Sequence, residues 1–409
     1  MDRPRIRAVE AFPVEHEGQT MICLRDPMAI APQPLLLGMG GYFLITLFDG
    51  QRTLADIREA YARQFGEVLA AGKLEDLIAA LDQAFYLDTE NFARRRAALR
   101  DEFNASNERA AIHAGLCYQG DARLLREELA AFFDPPHGPG RSPQRRDGRA
   151  PAGLIAPHID PRRGGPAYAH AYFELMGSEP PELFVILGTS HYGAGPELFS
   201  ATLKDYATPL GAVETDRDFI ARLAQRYSGG DLFADELLHR NEHSIEFQAL
   251  FLAWTLGTRG YKVVPILVSS FHEMVAAGRM PADDPRVGSF IEALRAELAA
   301  DSRSACIIAG VDFAHVGKKF GDERAADEDF VKWVEQEDRA LIENIVRGDP
   351  QGFFRAIDKD KDRRRICGLS PMYTQLELLR GRSARLLKYD VAMEPPTESA
   401  VTFASLAIE

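Results

Sequence analysis

The chain has 409 residues, 46% of them hydrophobic and 27% charged. That is ordinary globular composition with room for two or three domains, and it excludes a collagen-like or wholly disordered chain. The 48 basic and 61 acidic residues give a formal charge of −13, which repels phosphate backbones and sets nucleic acid aside as a partner.

The four cysteines, Cys23, Cys117, Cys306 and Cys367, form no C-x-x-C pair and no disulfide framework, which points to a reducing, cytoplasmic compartment. The N-terminus has no basic run followed by an apolar one, so no signal peptide is expected. The longest uncharged stretch, Pro27 to Phe48, is broken by Pro32, Pro34, Gly38, Gly40 and Gly41. No membrane-spanning helix is expected there.

In chain order, an apolar segment from Tyr42 to Phe48 comes first. Thr53, with Asp56 three residues later, predicts a capping box ahead of a helix carrying Leu54, Ile57, Tyr61 and Phe65. A second helical pattern holds Leu74, Leu77, Ile78, Leu81 and Phe85, followed by a short extended piece from Phe85 to Leu87. Three small helices and a ribbon suggest a winged-helix-like unit over residues 1–105. The last helix carries Glu75, Asp76 and Asp82 against Lys73 alone, so protein docking suits it better than DNA. Arg94, Arg95 and Arg96 read as a solvated helix face.

From about residue 106 an extended piece leads into an amphipathic helix with Leu125, Leu129, Phe132 and Phe133, and then into a Pro/Gly/Arg-rich stretch that reads as a surface loop. Beyond Gly153, short apolar runs alternate with helical patterns. The runs are Gly153–Ala156, Leu183–Leu187, Val263–Val268 and Ala305–Ala309, with helices from Asp216 to Arg226 and Ser244 to Leu256 and two further strands near the C-terminus. This is the signature of an α/β fold with a mostly buried central sheet flanked by helices.

Three of the runs end in a histidine: His158 in Ala-Pro-His, His191 in Gly-Thr-Ser-His, and His315 in Asp-Phe-Ala-His after Asp312. His243, between Glu242 and Glu246, marks a helix start. A lone histidine after a strand is more often a cap or a core residue. Three at the carboxyl ends of buried strands, where open α/β sheets bind ligands, suggest a transition-metal site.

These segments resemble the MEMO family, also called AmmeMemoRadiSam system protein B. The resemblance rests on "LIAPHID", "FVILGTSHY", "TPLGAVETD", "NEHSIEFQ", "VVPILVSS", "GVDFAHVGKKF", "ICGLSPM" and "SAVTFASLAI", with "IHAGLCYQGD" matching the family's N-terminal element. It spans residues 106–409 and makes the Pro/Gly/Arg-rich stretch an internal loop. The family is similar in fold to the class III, LigB-type extradiol dioxygenases. The resemblance implies metal ligands at His158, His191 and Cys367, and pocket groups at Asp312, His315 and His243. It also implies iron or copper in preference to zinc, a small-molecule or peptide substrate, and radical SAM and AMMECR-type partners. The run "LFDGQRTLADIREAYARQFG" resembles PqqD-like domains, which bind peptides or proteins.

Several readings follow from these residues. His315 would serve as a general acid or base oriented by Asp312, and Glu242 or Glu246 would fix the tautomer of His243. Arg363, Arg364 and Arg365 would lower the pKa of Cys367 if they faced it. Arg162 and Arg163 suit either an anionic substrate or an exposed loop. Two other functions fit the same residues: a zinc-dependent hydrolase, and a binding module that uses the crevice without turnover.

Overall fold

The computed structural model describes every residue except 141–149, 178 and 194. The middle of the Pro/Gly/Arg-rich loop falls outside the described residues. Contacts divide the chain into two units, Met1–Ser106 and Asn107–Glu409.

The first unit opens with strands β1 (Glu10–His16), β2 (Gln19–Arg25) and β3 (Leu35–Leu37), followed by helices α1 (Met39–Thr46), α2 (Leu54–Phe65), α3 (Lys73–Gln83) and α4 (Glu90–Ala105). The strands form an antiparallel sheet in the order β1-β2-β3. Glu17 and Gly18, both at positive φ, turn β1 into β2, as a two-residue hairpin requires. The Thr53–Asp56 capping box is present at the head of α2.

The ribbon therefore lies mainly ahead of the helices and not after them. At the expected later position, Phe85 adopts a left-handed φ of 64° and only Leu87 bridges, to Ile6. The apolar 42–48 segment is largely helix. Leu24, Ile57, Leu74, Leu81, Tyr86 and Leu87 are fully buried and form this unit's core.

The second unit contains, in order, β4 (Glu108–Arg109), α5 (Ala122–Phe132), β5 (Gly153–Ala156), α6 (Pro161–Met176), β6 (Leu183–Thr189), β7 (Phe199–Ala201) and β8 (Asp205–Tyr206). There follow α7 (Arg217–Arg226), α8 (Glu246–Leu256), β9 (Lys262–Val268), α9 (His272–Ala277), α10 (Pro285–Ala300), β10 (Ala305–Gly310) and β11 (His315–Gly317). The chain closes with α11 (Glu328–Val346), α12 (Pro350–Asp358), α13 (Leu369–Leu378), β12 (Ala384–Glu394) and β13 (Ser399–Ile408).

Eight strands make one sheet in the order β11-β13-β5-β10-β6-β9-β7, with β12 on the other edge of β13. The four at its centre, β5, β10, β6 and β9, run parallel. All seven residues of β6 and all ten of β13 are buried, and the parallel strand β6 accordingly reads as a continuous apolar run from Leu183 to Leu187. Among the described residues no helix is long and apolar enough to cross a membrane.

Register sets the site. Ala156 lies opposite Gly310, and Gly310 opposite Gly188. Three neighbouring strands thus end level and release His158, Asp312 and His191 from one edge. The loop leading to α8 lies directly on that edge. A Cβ on Gly310 would sit 2.6 Å from the Ser244 carbonyl oxygen, and one on Gly188 would sit 2.6 Å from Ile245 Cγ1. Gly310→Ala is accordingly expected to lose about 1–3 kcal/mol by overpacking, read as a lower denaturant midpoint. A midpoint equal to wild type would show that the loop yields without cost.

Candidate metal centre

His158 leaves the end of β5, His191 the end of β6, and Cys367 stands two residues ahead of α13. One ligand atom from each lies within 4.8 Å of the others. His158 Nε2 is 3.1 Å from Cys367 Sγ, and the two imidazoles meet edge to face at 4.9 Å. The Cys367 loop is seated on the sheet by the Gly368 N–H, which donates to the Asp312 carbonyl at 3.1 Å, and by Thr189 Oγ1, which donates to the Cys367 carbonyl at 3.3 Å.

A carboxylate stands behind each histidine. The Asp312 carboxylate accepts from the backbone N–H of His158 and of Ile159, at 3.1 and 3.3 Å. Its other oxygen faces His158 Nδ1 across 3.5 Å. That nitrogen is buried with no hydrogen-bond partner among the described residues. Glu242 accepts from the His191 backbone N–H at 2.9 Å and from His191 Nδ1 at 3.1 Å. It also accepts from the backbone N–H of His243 and Ser244.

Burial sets the protonation of these groups. It drives His158 and His243 well below the usual imidazole range, so both are neutral. It raises Asp312 to about 6. Burial also opposes the Glu242 charge, but the contacts with His191 and His243 together outweigh it and hold that carboxyl well below its ordinary value.

Burial, with the Asp312 charge next, pushes the Cys367 thiol well above its normal range. The neighbouring arginines do not counter this, because each is committed elsewhere. Arg363 lies over the Trp333 ring, Arg364 pairs with Asp338 and Arg365 with Asp322. The expected lowering of the thiol is absent, and the correction follows from where those guanidinium groups go.

His243 is placed among the ligands. Its ring stacks on His191 at 4.9 Å and meets His158 at 5.1 Å. His191, Glu242 and His243 form a second group of closely spaced donors, but Glu242 already receives four hydrogen bonds there. His315 lines the same cavity as His191 and Cys367, a space of about 300 Å³ also bounded by Ser190, Phe320, Asp362 and Arg365.

Other pairings differ from the sequence reading. His315 Nδ1 donates to the carbonyl two residues back, Phe313 O, at 3.2 Å, while the Asp312 carboxylate accepts from the His158 segment. Asp312 thus braces His158 and does not orient His315. Of the two glutamates offered to His243, Glu242 is the one beside it, with Oε1 3.2 Å from His243 Nδ1, while Glu246 receives His113, as detailed below. Arg162 pairs with Glu128, and Arg163 with Glu394, so neither is an unpaired cation awaiting a substrate.

A family model for "Memo-like protein" matches residues 109–407. The chain belongs to the MEMO family. A MEMO1 family protein of Aquifex aeolicus is 29% identical over 407 residues, covering 99% of both chains. One from Methanopyrus kandleri is 31% identical over 286 residues, 69% of this chain and 91% of its own. One from Thermus thermophilus is 28% identical over 357 residues, 87% of this chain and 99% of its own. The Aquifex match extends through the first unit. The Methanopyrus match leaves less than a tenth of that chain over, too little for a unit of this size. The three-histidine edge thus belongs to the MEMO part, and the first unit accompanies it in some relatives.

Sequence reasoning missed four MEMO-domain residues that gather around α8: Arg109, His113, Tyr118 and Glu246 in its bridging role. Arg109 and His113 stand one helical turn apart in number, yet they belong to a strand and a turn. Their partner is more than 130 residues away, so no local spacing marks them.

Proposed function

We propose that this MEMO-family chain is a metal-dependent redox protein, its metal, iron or copper, held by His158, His191 and Cys367. The observation that carries the reading is the convergence of two imidazoles and a thiol within 4.8 Å, two of them, His191 and Cys367, lining a cavity. The donors fit such an ion. His191 Nδ1 is committed to Glu242, and His158 Nδ1 faces Asp312, so each imidazole would offer Nε2 with a carboxylate behind it. The thiol, kept protonated by burial, would give up its proton to bind.

A metal with two nitrogen ligands and one sulfur ligand supplies redox chemistry with positions open to a reactant. The chain's own groups would bind and orient that reactant. The cavity admits a small molecule or one side chain of a peptide. His315, its Nδ1 proton held by the Phe313 carbonyl, presents Nε2 as a proton acceptor. The scaffold reading is an extradiol-dioxygenase-like fold, supported by ligands standing at the carboxyl ends of β5 and β6.

The first unit, read as a PqqD-like winged helix, would deliver a peptide. Strand β3 leaves its outer edge unpaired among the described strands. A groove of about 450 Å³, lined by Gly40, Leu44, Tyr61, Leu69 and Leu77, begins three residues past it. An extended peptide can add to such an edge. Partners would be radical SAM and AMMECR-type proteins, in a reducing compartment that suits four unpaired cysteines.

The test is metal content after anaerobic, tag-free purification of wild type, His191→Ala and Cys367→Ser. Near-stoichiometric iron or copper, lost in both variants, is the expected result. Zinc lost in the same way would transfer the site to hydrolytic chemistry. Absence of metal together with failed reconstitution would leave a peptide-binding crevice.

A further inference from the structure

Glu246 opens α8 and its side chain is fully buried. Every hydrogen bond the structure gives that carboxylate comes from one stretch, Arg109–Tyr118. Arg109 donates through its guanidinium. The His113 backbone N–H donates at 3.0 Å and His113 Nδ1 at 2.8 Å, and the Tyr118 hydroxyl donates at 2.5 Å. Arg109, also fully buried, places two further donors on the same region, Nε on the His239 carbonyl at 2.9 Å and Nη2 on the Glu242 carbonyl at 2.7 Å, and Nη1 also donates to the Ala110 carbonyl at 2.8 Å. The loop from His239 to Glu246 is thereby held at both ends and at Glu242. The Glu242 carboxylate in turn holds His191 and the His243 and Ser244 amides. His113 packs its ring edge on His243 at 5.8 Å.

We propose that Glu246 is a positioning residue, and that through it the Arg109–Tyr118 segment clamps the loop that aims His191 at the metal site. The purpose assigned to the clamp rests on the metal reading above; the clamp itself does not. Buried polar groups link one to the next from the segment to the site: Glu246 to Arg109, Arg109 to the Glu242 carbonyl, and the Glu242 carboxylate to His191. A buried carboxylate is stable where its charge and lone pairs are met. Here all of its partners lie on one segment that precedes the first strand of the main sheet, so the site is incomplete until that segment docks. Glu242, the only carboxylate seen on His191 Nδ1 among the described residues, is set by the same guanidinium that neutralises Glu246.

The test has two arms. In the metal-free protein, hydrogen exchange is followed at the His191, His243 and Ser244 amides. Glu246→Gln, which keeps shape and removes charge, is expected to speed their exchange at least tenfold while the strand β6 amides stay protected. His113→Ala, which keeps the Arg109–Glu246 pair and so guards against a variant that fails to fold, is expected to act in the same direction more weakly. Leu223→Ala, a core change on α7, serves as the comparison for a general loss of stability and is expected to leave these amides in step with the rest of the sheet.

The second arm is Co(II) titration with the thiolate charge-transfer band as readout. The expected result is a loss of about 10–100-fold in affinity for Glu246→Gln, with no loss for Leu223→Ala. If the wild type binds no Co(II) but the three amides still loosen, the clamp stands and the metal reading falls. Unchanged exchange in both Glu246→Gln and His113→Ala overturns the clamp, whatever the metal result.

Discussion

Asp338→Ala is expected to cost about 3–5 kcal/mol, the penalty for stripping one partner from a buried ion pair, and to loosen Cys367 as it does so. Asp338 lies on α11 with its side chain fully buried. It accepts from Arg364 Nη1 at 2.5 Å, from Thr402 Oγ1 at 2.5 Å and from the Tyr389 hydroxyl at 3.0 Å. The Arg364 side chain is 2% exposed, and its Nε has no hydrogen-bond partner among the described residues. Without Asp338 that guanidinium is left as a buried charge, its nearest remaining acid Asp360 at 3.7 Å.

The effect reaches the site because Arg364 stands three residues before Cys367 and its carbonyl accepts the His315 N–H at 2.8 Å. The loop around it carries three non-glycine residues at left-handed φ, Lys361, Asp362 and Arg365, a conformation held only by surrounding contacts. Urea unfolding measures the stability loss, and peptide-resolved alkylation measures Cys367. A faster Cys367 reaction is expected, with Cys306 unchanged in its strand. Replacing both partners by apolar residues, Asp338→Leu with Arg364→Met, is expected to recover much of the loss. A single variant within 1 kcal/mol of wild type would show that the pair carries little and that the loop is held by something else.

What could be read from the sequence follows the range of the interactions. The strands that run on towards His158, His191 and His315 were legible because parallel strands buried on both faces are written as near-continuous apolar runs, and the residues after them stand at the ligand-binding edge. The Thr53 capping box was legible because both halves lie within one turn. The β1–β2 hairpin was not, because its turn is Glu17-Gly18, without the Asn-Gly or Asp-Gly that signals such turns. Asp312 and His315 look paired at a spacing of three. That spacing brings side chains together on a helix, but His315 instead begins a strand, and the Asp312 carboxylate turns back to the His158 amide. Long-range pairs such as Arg364–Asp338 and Arg109–Glu246 leave no local trace. A run of three arginines reads as one basic patch, although the fold sends each to a different acid or ring.

Acid is expected to unfasten the Arg109–Glu246 pair in a definite window. Burial alone would raise the Glu246 pKa, but Arg109, then His113 and Tyr118, more than offset it and lower the group from its ordinary 4.5 to about 2. A carboxyl whose folded-state pKa is depressed binds its proton first in the unfolded chain. Its contribution is therefore complete above pH 4.5, declines as the pH falls from 4.5 towards 2, and vanishes below. The full span corresponds to about 3 kcal/mol at most, with a slope approaching 1.4 kcal/mol per pH unit for one proton. The measurement compares denaturant stability of wild type and Glu246→Gln at several values between pH 7 and 3. The variant has no such proton to bind. Its deficit, large at pH 7 because Arg109 is left buried against a neutral amide, should hold constant down to about pH 5 and then narrow as the wild type loses its advantage. A gap that stays constant to pH 3 would show that Glu246 is not ionised in the folded protein. The Arg109 guanidinium would then be balanced chiefly by the His239 and Glu242 carbonyls it already reaches.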